Sequence, residues 1–423
     1  MKVTIFPQKL KGTIGAIPSK SHAHRILIAQ KLAHIQSQGA ESSVEVPSFS
    51  KDIEATKACL KALDSEKPHL NCGESGSTIR FMLPVTMALK DTATFAGSGK
   101  LPQRPLSPLK EEMAAHGVAF NIYESTNNST NSGDNVDICT TKGRLQPGIY
   151  RLAGNVSSQF ITGLLFALPL LDGDSSLQLT TQLESAGYVD LSLDVLRTFG
   201  IIINETLSPS GFINYQIPGN QKYREPSDLR LQGDWSNASF WLACGALGSE
   251  ITCTNLDINS PQRDKEIIHV LKLMGANITI TDDSVTVSPG AKLNPQNVNI
   301  SQTPDMAPVL AVLMAGAYGT SSMTDAARLK IKESDRLSAI FDTITGLGGR
   351  ITIGDDYATI NGSGWLEGGT VNSFNDHRIA MAAATASCIC RKPVIIEDAQ
   401  AVTKSYPNFY EDFASLGGHI IKE

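Results

Sequence analysis

Cationic and hydroxyl side chains gather at three points of this chain, each where a small-residue apolar helix is expected to begin. The segments are Pro18-Ser19-Lys20-Ser21-His22-Ala23-His24-Arg25, Asn155-Val156-Ser157-Ser158-Gln159-Phe160 and Asn375-Asp376-His377-Arg378. A helix N-terminus presents backbone N–H groups and a partial positive charge, so Lys, Ser or Arg beside it makes a ready anion site. Three such places point to substrates rich in phosphate and carboxylate. In the first segment Ser19 or Ser21 can cap, with Lys20 one step outside the helix. Arg25 falls one turn in, on the same face as Ser21 or His22, and the set can hold a phosphate dianion. His22 and His24 are two residues apart on a helix and point to different faces, which argues against a shared metal.

Other segments extend the pattern. Gly73-Glu74-Ser75-Gly76-Ser77-Thr78-Ile79-Arg80 is a Gly/Ser loop opening a buried helix, where backbone N–H groups can cradle an anion. Gly97-Ser98-Gly99-Lys100-Leu101 lacks the Ser/Thr of a P-loop, which argues against a nucleoside triphosphate. Arg104-Pro105 offers a fixed loop arginine. Thr303-Pro304-Asp305-Met306 sets a carboxylate at a helix start, and Lys330-Ile331-Lys332-Glu333-Ser334-Asp335-Arg336 is dense in charge of both signs. Thr403-Lys404-Ser405-Tyr406-Pro407 adds one more cation. Ser-His-Asp order, zinc spacing and a dinucleotide fingerprint are all missing.

The elements that must position these groups repeat. Amphipathic helices stop at Gly117, Gly200, Gly275, Gly348 and Gly417, each followed by a β-rich run. Glycine just past a helix takes the left-handed conformation cheaply and turns the chain into a strand. A weaker first copy near Leu63 lacks the glycine. Between them lie six helices rich in Ala, Leu and Met, at 26–32, 79–89, 160–171, 238–247, 307–317 and 379–388. Most are apolar nearly all round and should be buried on every face. The chain therefore reads as six units, each one buried helix, one amphipathic helix and short strands. Three units per domain is the simplest arrangement, with a break in the polar stretch 220–228. The first strand, near 3–6, fits either half. If the buried helices of a domain run parallel, their N-terminal charges converge.

With 423 residues the chain exceeds a single core. A net charge of −6 and few aromatics argue against nucleic acid as the main partner. Seven scattered cysteines read as reduced thiols, the N-terminus carries no secretory or transit pattern, and the apolar runs fall short of a membrane span. The expectation is a cytoplasmic protein.

In order along the chain, Ser19-Lys20-Ser21 with Arg25, Ser157-Ser158-Gln159-Phe160, Lys332-Glu333-Ser334-Asp335-Arg336, Asn375-Asp376-His377-Arg378 and Lys404-Ser405-Tyr406-Pro407 resemble the 5-enolpyruvylshikimate-3-phosphate synthase family. The resemblance runs from Gly12 to Leu416. It implies a two-domain α/β (α+β) fold, an inside-out α/β barrel of six βαβαββ units, with the N-terminal strand in the second domain. The expected domains are 13–224 and 1–12 plus 225–423, with crossing segments near 12 and 224. It also implies a monomer, needing neither metal nor cofactor, that closes over shikimate 3-phosphate and phosphoenolpyruvate and joins the enolpyruvyl group to the 5-hydroxyl with loss of phosphate.

Carried over by motif, Lys20, Ser21, Arg25, Ser157, Ser158, Gln159, Ser185, Asp305 and Lys332 would hold shikimate 3-phosphate. Lys20, Gly76, Arg104, Gln159, Arg336, Arg378 and Lys404 would surround phosphoenolpyruvate. That donor carries a carboxylate and a phosphate, and arginine forks bind either bidentately. Asp305 is the candidate base on the 5-hydroxyl, and Glu333 and Lys20 the candidates for proton delivery at C3.

The chain departs from the family pattern at Glu74, at Arg328 (where members often carry Asn) and at Ala186-Gly187 before Tyr188. The nearest alternative is the UDP-N-acetylglucosamine enolpyruvyl transferase, which has a Cys or Asp ahead of its Arg-Pro. Here Gly97 to Pro105 has neither.

Overall fold

The computed structural model describes residues 1–37, 45–123 and 135–423. Buried and amphipathic helices alternate along it. The first pairs are α1 (Lys20–Gln36) and α2 (Lys51–Ala62), α3 (Gly76–Leu89) and α4 (Leu109–Ala115), and α5 (Ser158–Ala167) and α6 (Ala186–Thr198). There follow α7 (Trp235–Leu247) and α8 (Ile267–Leu273), α9 (Ala307–Ala315) and α10 (Arg336–Gly346), and α11 (His377–Ala386) and α12 (Phe409–Ser415). The five glycines expected to stop the amphipathic helices have φ between 80° and 95°. All six buried helices are present, and α9 is buried along its whole length.

The chain divides into two compact units, Met1–Ser19 with Gln232–Glu423, and Lys20–Leu231. Among the described residues the first holds three four-stranded sheets and the second holds two. In the second unit, His69–Asn71 pairs in parallel with Thr92–Gly97, which pairs antiparallel with Val136–Lys142 and through it with Ala119–Ile122. The same order recurs with Ile149–Leu152, Ser175–Leu179, Ile213–Ile217 and Asn204–Leu207. It recurs in the first unit with Asn297–Asn299, Tyr318–Thr324, Tyr357–Ser363 and Arg350–Ile353.

The N-terminus completes the other two sheets. Gly12–Gly15 lies parallel to Ile251–Thr254, taking the first-strand place before α7. Val3–Ile5 lies antiparallel between Val394–Glu397 and Ile420–Lys422, taking the last-strand place after α12. Sequence reasoning put a crossing near 12 and another near 224. The ladder to Ile251–Thr254 keeps 12–15 with the first unit, so the divisions fall at 19/20 and 231/232.

Each unit has its own core. In Lys20–Leu231 it gathers α1, α3 and α5, with Phe81, Phe160 and Phe166 fully buried. Gly163 lets α5 approach the α3 backbone near Arg80 and Phe81, where any side chain would collide. In the other unit α7, α9 and α11 share a core in which Trp241 stacks on Phe409 at 4.8 Å. Burying such aromatic and aliphatic side chains is the main favourable term in the stability of either unit. Among the described residues no helix is long and apolar enough to cross a membrane.

Candidate active site

Five of the six buried helices begin earlier than their apolar runs, so the polar signatures fall at or inside their first turns. Ser75 and Ser157 cap α3 and α5, and Asp234 and Asp376 cap α7 and α11, each side chain accepting from a first-turn N–H. α1 starts at Lys20 itself, where sequence reasoning left the lysine one step outside. The reason is the anchoring of Ser19, whose N–H donates to the Gln232 carbonyl and whose hydroxyl donates to Gln262 Oε1 at 3.0 Å.

Within Lys20–Leu231 the helix starts carry cations. Lys20 Nζ lies 2.8 Å from Asp52 Oδ2 on α2. Arg25 is 2% exposed and donates to Ser192 Oγ at 2.8 Å, the Tyr188 carbonyl at 2.7 Å, the Ser21 carbonyl at 2.6 Å and Thr162 Oγ1 at 3.4 Å. Its guanidinium also lies over the Phe81 ring. Every one of these partners is neutral, and among the described residues no carboxylate pairs with Arg25. Burial pushes it down to about 9, so it remains a cation at neutral pH. Thr162 sits one turn from Ser158 on α5, and Tyr188 lies in the first turn of α6 behind Ser185, which is in the left-handed region at φ 55°.

Arg80 ties the neighbouring starts together. It donates to Gln159 Oε1 at 2.7 Å and to the Pro105 carbonyl at 3.3 Å, while Gln159 Nε2 donates to Ser77 Oγ at 2.8 Å. The Arg104 guanidinium packs directly on the Gly76 α-carbon, leaving no room for a side chain. The Glu74 carboxylate lies over Gly99, where an added Cβ would meet it at 2.6 Å.

In the other unit a second set forms around Arg336, which is 2% exposed. It donates from Nε to Asp376 Oδ2 at 2.7 Å and from Nη1 to Asp305 Oδ1 at 2.6 Å, with Glu333 Oε1 4.0 Å from Nη2. Arg378 donates to Asp305 Oδ2 at 3.2 Å and to Ser236 Oγ at 2.6 Å, and Lys332 Nζ stands 3.9 Å from Asp305. The starts of α7 and α11 and the turn Pro304–Met306 before α9 therefore meet, as parallel buried helices should. Glu333 Oε2 pairs with Nδ1 of the buried His377 at 2.8 Å. Lys404 donates to the Asn375 carbonyl at 2.7 Å.

The charges shape one another. Burial is the largest single influence on Asp376 and works to raise it, but the charge of Arg336, its hydrogen bond and His377 together hold the carboxyl below the usual range. Burial also works to lower Arg336, and Asp376, Asp305 and Glu333 together raise it. Donor atoms of Glu333, Asp376 and His377 lie within 4.8 Å of one another, the spacing of a metal site. Arg336 already bonds Asp376 and faces Glu333, supplying the positive charge there.

Sequence reasoning missed several of these groups. Asp376 and His377 stood in a quoted motif from which only Arg378 was chosen, although the cap position of Asp376 was legible. Arg80 was quoted and given no role. Asp52 and Asp264 carried no signal, one on an amphipathic helix and the other in a short 3₁₀ turn. Asp264 is buried and accepts from Ser236 Oγ. Burial and then Asp305 push it up to about 6, against Arg378 and the Ser236 bond.

Two buried histidines at the start of α1 yield a first prediction. Burial drives His24 down to about 3 and, with Arg25, His22 down to about 4. His24 Nδ1 pairs with Thr56 Oγ1 at 2.7 Å, and its Nε2 is buried without a partner, so the folded site has no place for a second proton. The unfolded chain takes protons below about pH 6.5. The stability these groups contribute is thus full above that pH and is lost as pH falls toward 4 and 3, at about 1.4 kcal/mol per pH unit for each histidine. Urea unfolding between pH 7.5 and 5 should show a shallower loss for His24→Asn than for the wild type. Parallel curves would contradict this account.

The sequence model of the EPSP synthase (3-phosphoshikimate 1-carboxyvinyltransferase) family matches residues 64–413 of this chain. A 3-phosphoshikimate 1-carboxyvinyltransferase of Clostridium kluyveri is 42% identical, over 99% of this chain and 98% of its own. One of Brachyspira hyodysenteriae is 38% identical over the full length of both. Among solved structures, EPSP synthase from Acinetobacter baumannii superposes with a TM-score of 0.74 at 21% identity, covering both chains completely. The enolpyruvyl transferase NikO from Streptomyces tendae gives 0.72 at 17% identity, over 99% of this chain and 98% of its own. At these identities the structural likeness concerns the fold, a two-domain α/β architecture.

Proposed function

The chain belongs to the EPSP synthase family, and from that membership we infer that it transfers the enolpyruvyl group of phosphoenolpyruvate to the 5-hydroxyl of shikimate 3-phosphate. Phosphate is released. The reaction belongs to the shikimate pathway of aromatic amino-acid biosynthesis. Near-complete match to relatives of that one activity is the observation that carries the reading. The two cation sets give it a chemical basis.

In this proposal Arg25 binds the shikimate phosphate. It is a buried charge with neutral partners, and a phosphate dianion would satisfy it with short charge-assisted hydrogen bonds. Ser21, Ser157, Ser158, Gln159, Ser185 and Lys332 complete that contact set. Lys20, Gly76, Arg104, Gln159, Arg336, Arg378 and Lys404 bind phosphoenolpyruvate. Asp305 takes the proton of the 5-hydroxyl as its oxygen bonds to C2 of the donor. Glu333, oriented by His377, or Lys20 delivers a proton to C3. The tetrahedral intermediate then returns a C3 proton to that same group as the bond from C2 to the phosphate oxygen breaks and phosphate leaves. Cations around the donor stabilise the charge that develops. The enzyme acts as a monomer, and in the cytoplasm, a compartment in keeping with seven free buried cysteines.

The test is phosphate release from phosphoenolpyruvate with shikimate 3-phosphate, and separately with UDP-N-acetylglucosamine. Release only with shikimate 3-phosphate is expected. Release only with the UDP-sugar would overturn the acceptor.

Gly76→Ala probes the donor side. The new methyl would displace the Arg104 guanidinium, and a shift of about 1 Å in a positioning group costs on the order of a hundredfold. The KM for phosphoenolpyruvate should rise while that for shikimate 3-phosphate holds. Equal change in both would remove Arg104 from the donor site.

A further inference from the structure

We propose that Asp264, acting through the Ser236 hydroxyl, is a positioning residue that holds Arg378 in place for phosphoenolpyruvate. The inference rests on the assignment of Arg378 to the donor and goes beyond it by adding two residues that touch neither substrate.

The argument begins with hydrogen-bond direction. A guanidinium only donates, so Arg378 Nη1 gives its hydrogen to Ser236 Oγ at 2.6 Å. The serine has one hydrogen of its own, and it goes to Asp264 Oδ2. Ser236 is 8% exposed and Asp264 4% exposed, so water cannot readily replace either link. The chain Asp264–Ser236–Arg378 is therefore polarised in one sense, with a carboxylate at its end. In a buried setting such a chain strengthens each of its bonds.

Arg378 is gripped a second time, on the other nitrogen. Its Nη2 donates to Asp305 Oδ2 at 3.2 Å, with Nη1 also 3.4 Å from the Asp305 carbonyl. Asp305 is the proposed base and becomes neutral when it takes the hydroxyl proton. At that moment its hold on Arg378 weakens, just as the intermediate needs the guanidinium most. The Asp264–Ser236 arm does not pass through Asp305 and keeps its charge. Neither residue belongs to α11, which carries Arg378. Asp264 lies in the turn Arg263–Glu266, and Ser236 in the first turn of α7. The arm thus ties Arg378 to an independent part of the unit.

Steady-state kinetics with both substrates tests this on Asp264→Asn, Ser236→Ala, Ser236→Thr and the double variant Asp264→Asn/Ser236→Ala. Asp264→Asn and Ser236→Ala should each raise the KM for phosphoenolpyruvate roughly tenfold, the worth of one charge-assisted hydrogen bond. The KM for shikimate 3-phosphate should stay within about twofold. Ser236→Thr, which keeps the hydroxyl, should stay close to wild type. The double variant should be no worse than the poorer single one, since both break one chain.

An unchanged donor KM in folded variants, a parallel rise for both substrates, or additive effects would each overturn the proposal. Should Asp264→Asn not fold, the Ser236→Ala and Ser236→Thr pair decides alone. Arg378→Ala separates the two levels. If it leaves the donor KM unchanged, the donor-site reading itself fails. If it raises that KM while the arm variants do not, only the arm is wrong.

Discussion

Asp305→Asn is expected to lower kcat by about 10² to 10⁴, the usual worth of a positioned general base. The carboxylate lies between two guanidiniums, with Arg336 at 2.6 Å and Arg378 at 3.2 Å, and Lys332 stands 3.9 Å away. Three cations thus surround the carboxylate. A bound phosphoenolpyruvate, itself a carboxylate and a phosphate, would draw on the same arginines. Asparagine keeps the shape and cannot take the proton. It would also aim N–H groups at a guanidinium, so a moderate rise in donor KM should accompany the loss of turnover. Single-turnover measurements at saturating substrate isolate the chemical step. A rate near wild type there would remove Asp305 from the role of base.

Arg25→Met is expected to leave the free protein at least as stable and to weaken shikimate 3-phosphate binding by about a hundredfold or more. The two effects have one cause. Burying a charge costs several kcal/mol unless it is paired, and among the described residues Arg25 is held by hydroxyls, carbonyls and the Phe81 ring, with no carboxylate. Methionine fills similar space over the Phe81 ring without that cost. Ser192 also bonds Thr162 and the Tyr188 carbonyl, so it is not left unpaired. Thermal melts with and without ligand read both consequences. Shikimate 3-phosphate should raise the wild-type midpoint and leave the variant almost unmoved. A variant that still responds to the ligand would place the phosphate elsewhere. A large loss of stability in the free variant would make Arg25 a structural residue.

What was legible in the sequence was local. The stops at Gly117, Gly200, Gly275, Gly348 and Gly417 follow from one residue's backbone freedom, and all five adopt the expected positive φ. The six buried helices follow from largely apolar runs, and the polar signatures at their starts follow from the four N–H groups every helix leaves unpaired. The family resemblance rests on three of those starts together with Lys332–Arg336 and Lys404–Pro407, which is why the activity could be named from residues in a row.

Contacts across long stretches of chain were not legible. The pairing of Gly12–Gly15 with Ile251–Thr254 joins residues more than two hundred positions apart, and three- or four-residue strands carry too little pattern to choose a partner. The same limit applies to charge. A run such as Lys332 to Arg336 shows which ions are present but not which ones meet. That Arg336 would bridge Asp305 and Asp376, that Arg378 would reach Asp264 through Ser236, and that Arg25 would be held by hydroxyls and carbonyls depend on how helices pack. Pairing strength depends on distance and burial, and both exist only once the helices are packed. Periodicity and caps are properties of neighbours in the chain, and ion pairs and sheet ladders are properties of neighbours in space.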